Sequence, residues 1–289
     1  MVAVRSSYAL RWSSSQIASG YSSARRRCTS RARPLGVRGR DIEVTVACTS
    51  MSLVVRDHTG WVTRWDAGPA RPPDPVAQLR AARSHAAQGG GGPFVLWVEH
   101  VDDALDHAAR TEGLHPWRDL LQMRCALPAA HTDVPTRPFV ASDAGAFLAV
   151  NNRAFAWHPE QGGMTVDDLA AKQAEPWFDP EGFRIHERDG RLAAFCWTKI
   201  HPANPSLGDP PLGEIYVIAV DPAFHGQGLG NALTLAGLEW LSAHGLAQGM
   251  LYVEHDNVAA VRTYERIGFH VHHIDRAYTA DARADGDAS

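Results

Sequence analysis

The sequence predicts an α/β fold, in which helices flank a central β-sheet. In the second half of the chain, strand-like and helix-like segments alternate up to a closing strand that begins at His270. The clearest strand, EIYVIAV (214–220), runs directly into a glycine-rich turn and then a helix, which is typical of α/β proteins. Part of this arrangement recurs earlier in the chain, which favours a repeated unit.

Composition and charge exclude several classes of protein. The chain has 289 residues and a formal net charge of -4, so its charge does not favour binding to nucleic acid. No apolar stretch reaches the roughly 18 residues that a membrane-spanning helix needs. The four cysteines lie far apart and form no CxxC pair, which indicates neither a zinc knuckle nor a disulfide framework. We therefore expect a cytoplasmic monomer that requires neither nucleic acid nor a membrane.

The first 65 residues differ from the rest of the chain. Residues 1–40 contain nine arginines, many serines and no acidic residue, a composition that imitates an organelle transit peptide. The same composition fits a disordered tail, a misassigned start codon or a frameshifted 5′ end. Short β-like runs at 42–47 and 53–55 follow without clear turn signals. We interpret residues 1–65 as an atypical segment that is disordered or mistranslated.

Residues 66–130 contain an incomplete set of elements. The segment DAGPARPPDP, residues 66–75, predicts a loop. The pattern that follows predicts a helix, a buried strand, a second helix and a second strand, at residues 76–87, 94–99, 102–111 and 120–127.

Residues 137–282 predict a complete domain, followed by a short tail at 283–289. Four helices are expected: at 143–155, from Thr165 onward, at 229–244, and from an N-cap at Asn257 to Ile267. The expected strands are 183–187 and 192–200, joined by a turn at Asp189-Gly190, and then 214–220, 250–254 and 270–278.

An internal match connects the two halves. FVLWVEH (94–100) resembles MLYVEH (250–255), and Gly113 and Gly268 follow at the same distance, so the two segments superpose at an offset of 155 residues. At this offset the glycine turn has no counterpart near residues 70–75, and Tyr264 corresponds to Ala109. The sequence therefore predicts a tandem repeat whose first copy, a remnant within 66–130, is degenerate or truncated.

The glycine turn after strand 214–220 predicts an anion site. Gly226, Gly228 and Gly230 allow backbone N–H groups to converge, and the following helix N-terminus favours a pyrophosphate. A dinucleotide fingerprint would need glycine at position 231, where Asn231 stands, and no GK[ST] motif is present. A purely structural turn is the alternative.

Residues 225–230 resemble the Q/R-x-x-G-x-G/A motif of the GNAT acetyltransferases, with His225 where that family prefers Gln or Arg. The resemblance implies acetyl-CoA as co-substrate and a mixed sheet that splays between strands 214–220 and 250–254. It also implies that the pantetheine arm binds Ile218, Ala219 and Val220. The residues implied to bind the pyrophosphate are His225, Gly226, Gln227, Gly228, Leu229, Gly230 and Asn231.

A second segment resembles the GNAT pattern N-x-x-A-x-x-x-Y-x-x-x-G-F. Tyr264 lies two helical turns beyond Asn257, where a phenol can protonate the leaving CoA thiolate. A tyrosine that merely packs on the helix face is the alternative. The resemblance further implies that acetyl-CoA contacts the start of this helix, at Asn257, Val258, Ala259, Ala260, Val261 and Arg262.

Glu214 opens the strand before the glycine turn and is a candidate general base. An amine that arrives as an ammonium must lose a proton before it attacks, and a carboxylate can accept that proton directly or through water. A solvated acid at the end of a strand is the alternative.

Four histidines, at 255, 270, 272 and 273, lack the acids or cysteines that would complete a ligand set, so we expect no metal.

Six strings in the same order resemble the mycothiol synthases within the GNAT superfamily: LLQMRCALP (120–128), WHPEQGGMT (157–165), EPWFDPEGF (175–183), FCWTK (195–199), GEIYVIAVDP (213–222) and LYVEHDN (251–257). The resemblance implies acetylation of the cysteinyl amine of cysteinyl-glucosaminyl-inositol, a small amino-sugar thiol held by Glu160, Lys199, Glu214 and Tyr252. Two alternatives stay open. One is a GNAT enzyme for another amine, such as an aminoglycoside or a protein N-terminus, and the other is a non-catalytic module that binds acyl-CoA.

Overall fold

The computed structural model describes residues 54–57, 60–156 and 162–282, which form two compact units. We call Leu120–His273 the larger unit. The smaller unit contains the described residues up to Asp119 and those from Ile274 onward. The sequence-based boundaries at 66–130 and 137–282 remain a prediction. The expectations for residues 1–53, including the run at 42–47, and for the tail at 283–289 lie outside the described residues.

Strands and helices alternate through both units. The strands are β1 Val55–Asp57, β2 Gly60–Trp65, β3 Gly92–Val98, β4 His115–Ala126, β5 Arg137–Pro138, β6 Phe183–Arg188, β7 Arg191–His201, β8 Leu212–Val220, β9 Gln248–Glu254 and β10 His270–Ala282. The helices are α1 Pro75–Gln88, α2 Asp103–Thr111, α3 Ala144–Ala154, α4 Val166–Gln173, α5 Leu229–Ala243 and α6 Val258–Ile267. Among the described residues, no helix combines the length and apolarity needed to cross a membrane.

The larger unit contains a mixed sheet with helices on both faces, as predicted. Its strand order is β5-β6-β7-β8-β9-β4, in which β8 and β9 run parallel and the other neighbours are antiparallel. On one face, Phe147 of α3 makes an edge contact with Phe195 of β7 at 4.8 Å between ring centroids. On the opposite face α5 packs closely, because a Cβ atom at Gly237 would lie 2.6 Å from the sulfur of Cys196.

The parallel pair β8–β9 separates soon after it begins. Its register is Gly213 with Gly249 and Glu214 with Met250, although β8 continues to Val220 and β9 to Glu254. A register shift between Trp197 and Thr198 in the neighbouring β7–β8 ladder adds a bulge at the same level. This is the predicted splay, and it leaves the last residues of β8 beside a gap in the sheet.

Two helices of the larger unit begin where the sequence predicted, and capping groups fix their ends. Thr165 accepts the backbone N–H of Asp168, whose carboxylate accepts the N–H of Thr165 in return, which is a capping box. Asn257 caps α6 through the N–H of Ala260. Gly268 ends α6 in the left-handed conformation, with φ 109°.

Cys196 lies between buried aromatic residues, as expected for a small hydrophobic side chain. It is fully buried, and this burial raises the pKa of its thiol well above the ordinary value. Cys125 of β4 is also buried, and burial raises its pKa to about 11. Neither thiol is therefore activated as a nucleophile.

The smaller unit contains a parallel pair that does not separate. β2 and β3 pair over five consecutive positions, from Trp61 with Phe94 to Trp65 with Val98, and β10 pairs antiparallel to β3. Helices α1 and α2 bury apolar residues such as Leu79 and Leu105 in the same core cluster as Trp65. β2 was not predicted from the sequence, although its alternate residues Trp61, Thr63 and Trp65 are buried with the period-2 pattern of a strand.

The structure also corrects the ends of two strands. β4 begins at His115, five residues before the predicted start at Leu120, because its charged and exposed first residues carry no apolar alternation. β10 continues to Ala282, beyond the predicted end at Tyr278, because the ladder with β3 extends to Gly92.

We predict that Gly237→Ala lowers the free energy of unfolding by about 1–3 kcal/mol, because the added methyl group overpacks the contact with Cys196 and Ile215. Helix propensity alone would change stability by about 1 kcal/mol in the opposite direction. The matched control is Gly145→Ala in α3, where an added Cβ meets no atom within 4 Å. Urea denaturation of both variants tests the prediction, and a Gly237→Ala variant more stable than the parent protein would contradict it.

Candidate functional site

A cavity of about 340 Å³ opens where β8 ends and α5 begins. Its walls are the carboxyl end of α3, the last residues of β8 and the glycine turn. The lining residues are Ala154, Phe155, Ile218, Ala219, Val220, Phe224, His225, Gly226, Gly228, Leu229 and Gly230. Eight of the ten residues predicted from 218–231 to bind the cofactor therefore surround one cavity. Gln227 and Asn231 belong to the same turn but do not line it.

The backbone of the turn needs glycine at two positions. Gly226 and Gly228 have φ angles of 76° and 75°, in the left-handed region that L side chains rarely adopt. A Cβ atom at either position would meet no atom within 4 Å, so this side of the turn faces open space. Gly228 is the N-cap of α5 and offers no side-chain cap, so the first N–H groups of the helix are available to an external anion.

His225 supports the turn through its side chain. Its Nε2 lies 3.0 Å from the backbone carbonyl oxygen of Val220. Because a carbonyl oxygen only accepts, Nε2 carries the hydrogen in this contact. The imidazole thus connects the end of β8 to the start of the turn, which gives a structural role to the residue that departs from the family motif.

A buried carboxylate holds the connection between β8 and the turn. Asp221 accepts the N–H of Ala223 at 3.0 Å and a hydrogen bond from Arg153 of α3 at 2.5 Å. Burial opposes its ionisation, but these two hydrogen bonds and the nearby guanidinium charge outweigh burial and hold the pKa of Asp221 below its usual value. The carboxylate therefore stays ionised at neutral pH and fixes the chain immediately before His225.

Glu214 lies at the point where β8 and β9 separate. Its side chain is buried, with 1% of the residue exposed, so it is not a solvated acid at the end of a strand. One carboxylate oxygen lies 2.6 Å from Nε2 of His201, on the neighbouring strand β7. His201 was not predicted as a site residue, because it meets Glu214 only through the β7–β8 ladder.

Lys199 faces Glu214 directly across the same ladder. Its ammonium lies 4.6 Å from the ring centroid of Trp177 and 5.5 Å from that of Tyr216. Lys172 donates a hydrogen bond of 2.8 Å to the hydroxyl of Tyr216. The only two lysines of the chain therefore both contact one aromatic side chain of β8. Lys199 was among the predicted site residues, whereas Trp177 and Tyr216 were not.

Tyr252 lies in β9, on the opposite side of the separation from Tyr216. It is 4% exposed, and its hydroxyl accepts a hydrogen bond of 2.8 Å from the side chain of Gln122 in β4. The remaining residue predicted to bind the amino-sugar, Glu160, lies outside the described residues.

Tyr264 is fully buried in α6 and does not line the cavity. Its ring makes an edge contact with Phe269, 5.7 Å between centroids. The other residues of this helix predicted to bind the cofactor also lie outside the cavity lining. Of these, Val258, Ala259 and Arg262 are exposed, whereas Ala260 is buried and Asn257 and Val261 are half-buried.

The chain is similar to known acetyltransferases in sequence and in fold. The model of the acetyltransferase (GNAT) family matches residues 151–269, a range that includes the glycine turn and Tyr264. A GCN5-related N-acetyltransferase from Sphaerobacter thermophilus has the same fold, with a TM-score of 0.60 over 80% of this chain and 76% of that one, at 17% identity. A tandem GNAT protein from the clavulanic acid biosynthesis pathway gives a TM-score of 0.57 over 80% and 79%, at 19% identity. The chain is an acetyltransferase of the GNAT class.

Relatives with higher sequence identity show the family within that class. The mycothiol acetyltransferase of Mycobacterium avium (strain 104) is 45% identical over 230 residues, which cover 72% of this chain and 70% of the relative. That of Streptomyces coelicolor is 43% identical over 227 residues, 72% of each protein. That of Mycobacteroides abscessus is 48% identical over 204 residues, 68% of this chain and 67% of the relative. The chain belongs to the mycothiol acetyltransferase family.

We predict that Gly228→Ala raises the KM for acetyl-CoA about tenfold. An alanine at φ 75° is strained by about 1–2 kcal/mol, and the turn relieves this strain by turning its backbone N–H groups away from the cofactor. Gly245→Ala is the matched control. Gly245 has φ 80° at the far end of α5, a helix of 15 residues or about 22 Å. The control loses similar stability and keeps the KM of the parent protein. Equal effects of the two variants on KM would contradict the prediction.

Proposed function

We propose that the protein transfers the acetyl group of acetyl-CoA to the cysteinyl amine of cysteinyl-glucosaminyl-inositol, which forms mycothiol and CoA. The observation that carries this proposal is the separation of β8 from β9, with the glycine turn at one end of the gap and Glu214 at the other. Membership of the mycothiol acetyltransferase family supports the choice of substrate.

The turn has the features that a diphosphate requires. Converging N–H groups and the N-terminus of α5 supply donors and a positive helix dipole, and the glycines keep Cβ atoms out of the approach. Beyond Glu214 the backbone of β8 runs beside the gap, where Ile218, Ala219 and Val220 offer N–H and C=O groups to a pantetheine arm. We propose that acetyl-CoA lies along this line, with the start of α6 at 257–262 on its other side.

The reaction needs a proton acceptor near the amine and a proton donor near the thiolate. In our proposal Glu214 takes the proton of the ammonium, and the neutral amine attacks the thioester carbonyl carbon. The C–S bond then breaks, and Tyr264 protonates the leaving thiolate. The nitrogen of the new amide gives up its remaining surplus proton, which restores the Tyr264 phenol. Backbone amides of β8 polarise the carbonyl. The hydrogen bond from His201 holds the Glu214 carboxylate in one orientation.

The residues around Glu214 suit a polyhydroxylated amine. A carboxylate accepts from an ammonium or a hydroxyl, and Lys199 and Tyr252 can donate to hydroxyl oxygens. We propose that these three residues, together with Glu160, bind the amino-sugar. The cation–π contacts of Lys199 with Trp177 and Tyr216 support a fixed position for its ammonium.

We also propose that the chain is a tandem repeat in which only the second copy binds acetyl-CoA. Applied to the elements, the offset of 155 residues pairs β2, α1, β3, α2 and β4 with β8, α5, β9, α6 and β10. In the first copy β2 stays paired with β3 along its length, and Arg71 donates to the carbonyl oxygens of Glu99 and His100 beyond the ends of these strands. This pairing supports a first copy without the gap that acetyl-CoA needs.

We also propose that the enzyme works in the cytoplasm as a monomer, without a metal, a membrane or nucleic acid. The net charge of -4 and the sequence pI of about 6.4 support the absence of a nucleic-acid partner.

Acceptor specificity tests the proposed substrate. With cysteinyl-glucosaminyl-inositol as acceptor, we expect the enzyme to release CoA from acetyl-CoA, because Glu214, Lys199 and Tyr252 bind the amine and hydroxyls of this sugar. Mass spectrometry should show that the sugar has gained one acetyl group. An aminoglycoside and a peptide with a free N-terminus are the comparison acceptors. Acetylation of either one, with no reaction of the amino-sugar, would contradict the proposal. Binding of acetyl-CoA without turnover of any amine would indicate a non-catalytic module.

Substitution of the proposed acid and base tests the mechanism. Glu214→Gln and Tyr264→Phe are expected to lower kcat by about 10²–10⁴-fold with the Kd for acetyl-CoA unchanged, because each removes a proton transfer and neither side chain is proposed to hold the cofactor. Tyr278→Phe, which also removes a buried phenol hydroxyl, but in the smaller unit, is the control and should keep kcat. Single-turnover kinetics and calorimetry give the two readouts. Normal kcat in both site variants would refute these roles.

A further inference from the structure

A row of buried polar side chains extends from β4 to the proposed acceptor site. In the ladders of the larger unit, Gln122 pairs with Tyr252, and Arg124 pairs with Met250, which in turn pairs with Glu214. Directly paired residues point to the same face of a sheet, as do residues two positions apart. Gln122, Arg124 and Tyr252 therefore share the face that carries Glu214.

Arg124 determines the orientation of the Gln122 amide. Its Nε donates to Oε1 of Gln122 at 2.7 Å, and its Nη1 donates to Asp209 at 2.7 Å. A guanidinium has only donors, so the end of the amide that faces Arg124 must be the carbonyl oxygen. The amide nitrogen of Gln122 consequently faces Tyr252, and its hydrogen bond to the phenol oxygen measures 2.8 Å.

The phenol of Tyr252 is therefore an acceptor in its contact with β4. A phenol has one hydrogen, and an N–H that donates to its oxygen directs this hydrogen elsewhere. The hydroxyl of Tyr252 thus donates away from β4. Each bond in the row polarises the next, which strengthens this donor.

We propose that Arg124 and Gln122 are positioning residues that set Tyr252 as a hydrogen-bond donor to a hydroxyl oxygen of the acceptor sugar. The inference rests on the proposed function, in which Tyr252 binds the acceptor. In this arrangement two residues recognise different groups of the acceptor. The Glu214 carboxylate accepts hydrogen bonds from the ammonium, which only donates, and the Tyr252 hydroxyl donates to a sugar oxygen.

The same guanidinium also anchors the connection between β7 and β8. Asp209 belongs to a turn closed by backbone hydrogen bonds with Asn204, between the end of β7 at His201 and the start of β8. The ion pair is largely buried, with 7% of the Arg124 side chain and 15% of the Asp209 side chain exposed. Arg124 thereby connects the orientation of Tyr252 to the segment that carries the His201–Glu214 pair.

Gln122→Glu tests the inference with almost no change of shape. A carboxylate has only acceptors, so one oxygen keeps the bond from Arg124 and the other draws the hydroxyl hydrogen of Tyr252 toward β4. We expect the KM for cysteinyl-glucosaminyl-inositol to rise about tenfold, the effect of one lost hydrogen bond. The kcat and the KM for acetyl-CoA should stay within about twofold of the parent values.

A double-mutant cycle separates positioning from a general structural effect. Tyr252→Phe should raise the acceptor KM as much as Gln122→Glu does, and the double variant should show no further rise. Gln122→Met, which neither donates nor accepts strongly, lets the hydroxyl turn and should raise the KM less than Gln122→Glu. If Gln122→Glu does not fold, the cycle is run with Gln122→Met, where non-additive effects support the inference and additive effects contradict it.

The outcomes distinguish the inference from the proposed function. If Tyr252→Phe raises the acceptor KM and Gln122→Glu does not, the positioning role is wrong while the substrate assignment stands. If neither variant changes the KM of an active enzyme, Tyr252 does not bind the acceptor, which overturns the inference and leaves the reaction intact. If the parent protein does not acetylate the amino-sugar, the proposed function fails, and the inference fails with it.

Discussion

The separation of β8 from β9 after Glu214 is the constraint on which the site depends. A parallel pair that continued would satisfy the backbone of β8 with ladder hydrogen bonds and leave no space for a ligand. Here the last residues of β8 border a cavity, and the strand ends in a turn whose glycines adopt left-handed angles. The smaller unit shows the contrasting case, because β2 and β3 stay paired to their ends. The extent of strand pairing thus distinguishes the open β8–β9 pair from the closed β2–β3 pair.

A buried carboxyl group lies at each end of this opening. At the turn, Asp221 is held ionised by Arg153 and the N–H of Ala223, so the chain enters the turn along a fixed path. At the other end Glu214 is buried against His201. Buried carboxyl groups need polar partners, and two of these partners, Arg153 of α3 and His201 of β7, lie on different elements from the carboxyl groups that they contact. Distortion of α3 or β7 would therefore disturb the site without a change in any residue that lines it.

Local sequence patterns predicted much of the larger unit. The alternation of strands and helices, the helix start at Thr165, the Asn257 cap and the glycine turn depend on neighbours within a few residues, and the structure contains all of them. The strand β2 was missed because its period-2 pattern is short and lies next to a segment of atypical composition. Its buried tryptophans were the available signal.

The residues missed in the candidate site have a common cause. His201, Gln122 and Arg124 acquire their roles through pairings between distant parts of the chain, as in the contact of Gln122 with Tyr252 across 130 positions. No local spacing contains that information. The glycine motif, in contrast, is complete within one turn, which is why the proposed cofactor site could be found from sequence and much of the polar environment of the acceptor site could not.

We propose that backbone N–H groups of the turn after β8 bind the diphosphate of coenzyme A. A crystal structure of the protein with CoA bound tests this claim most directly. We predict diphosphate oxygens within about 3.2 Å of amide nitrogens between His225 and Asn231, with the pantetheine arm along Ile218 to Val220. A diphosphate bound elsewhere, with the turn unoccupied and β8 closed against β9, would contradict the account.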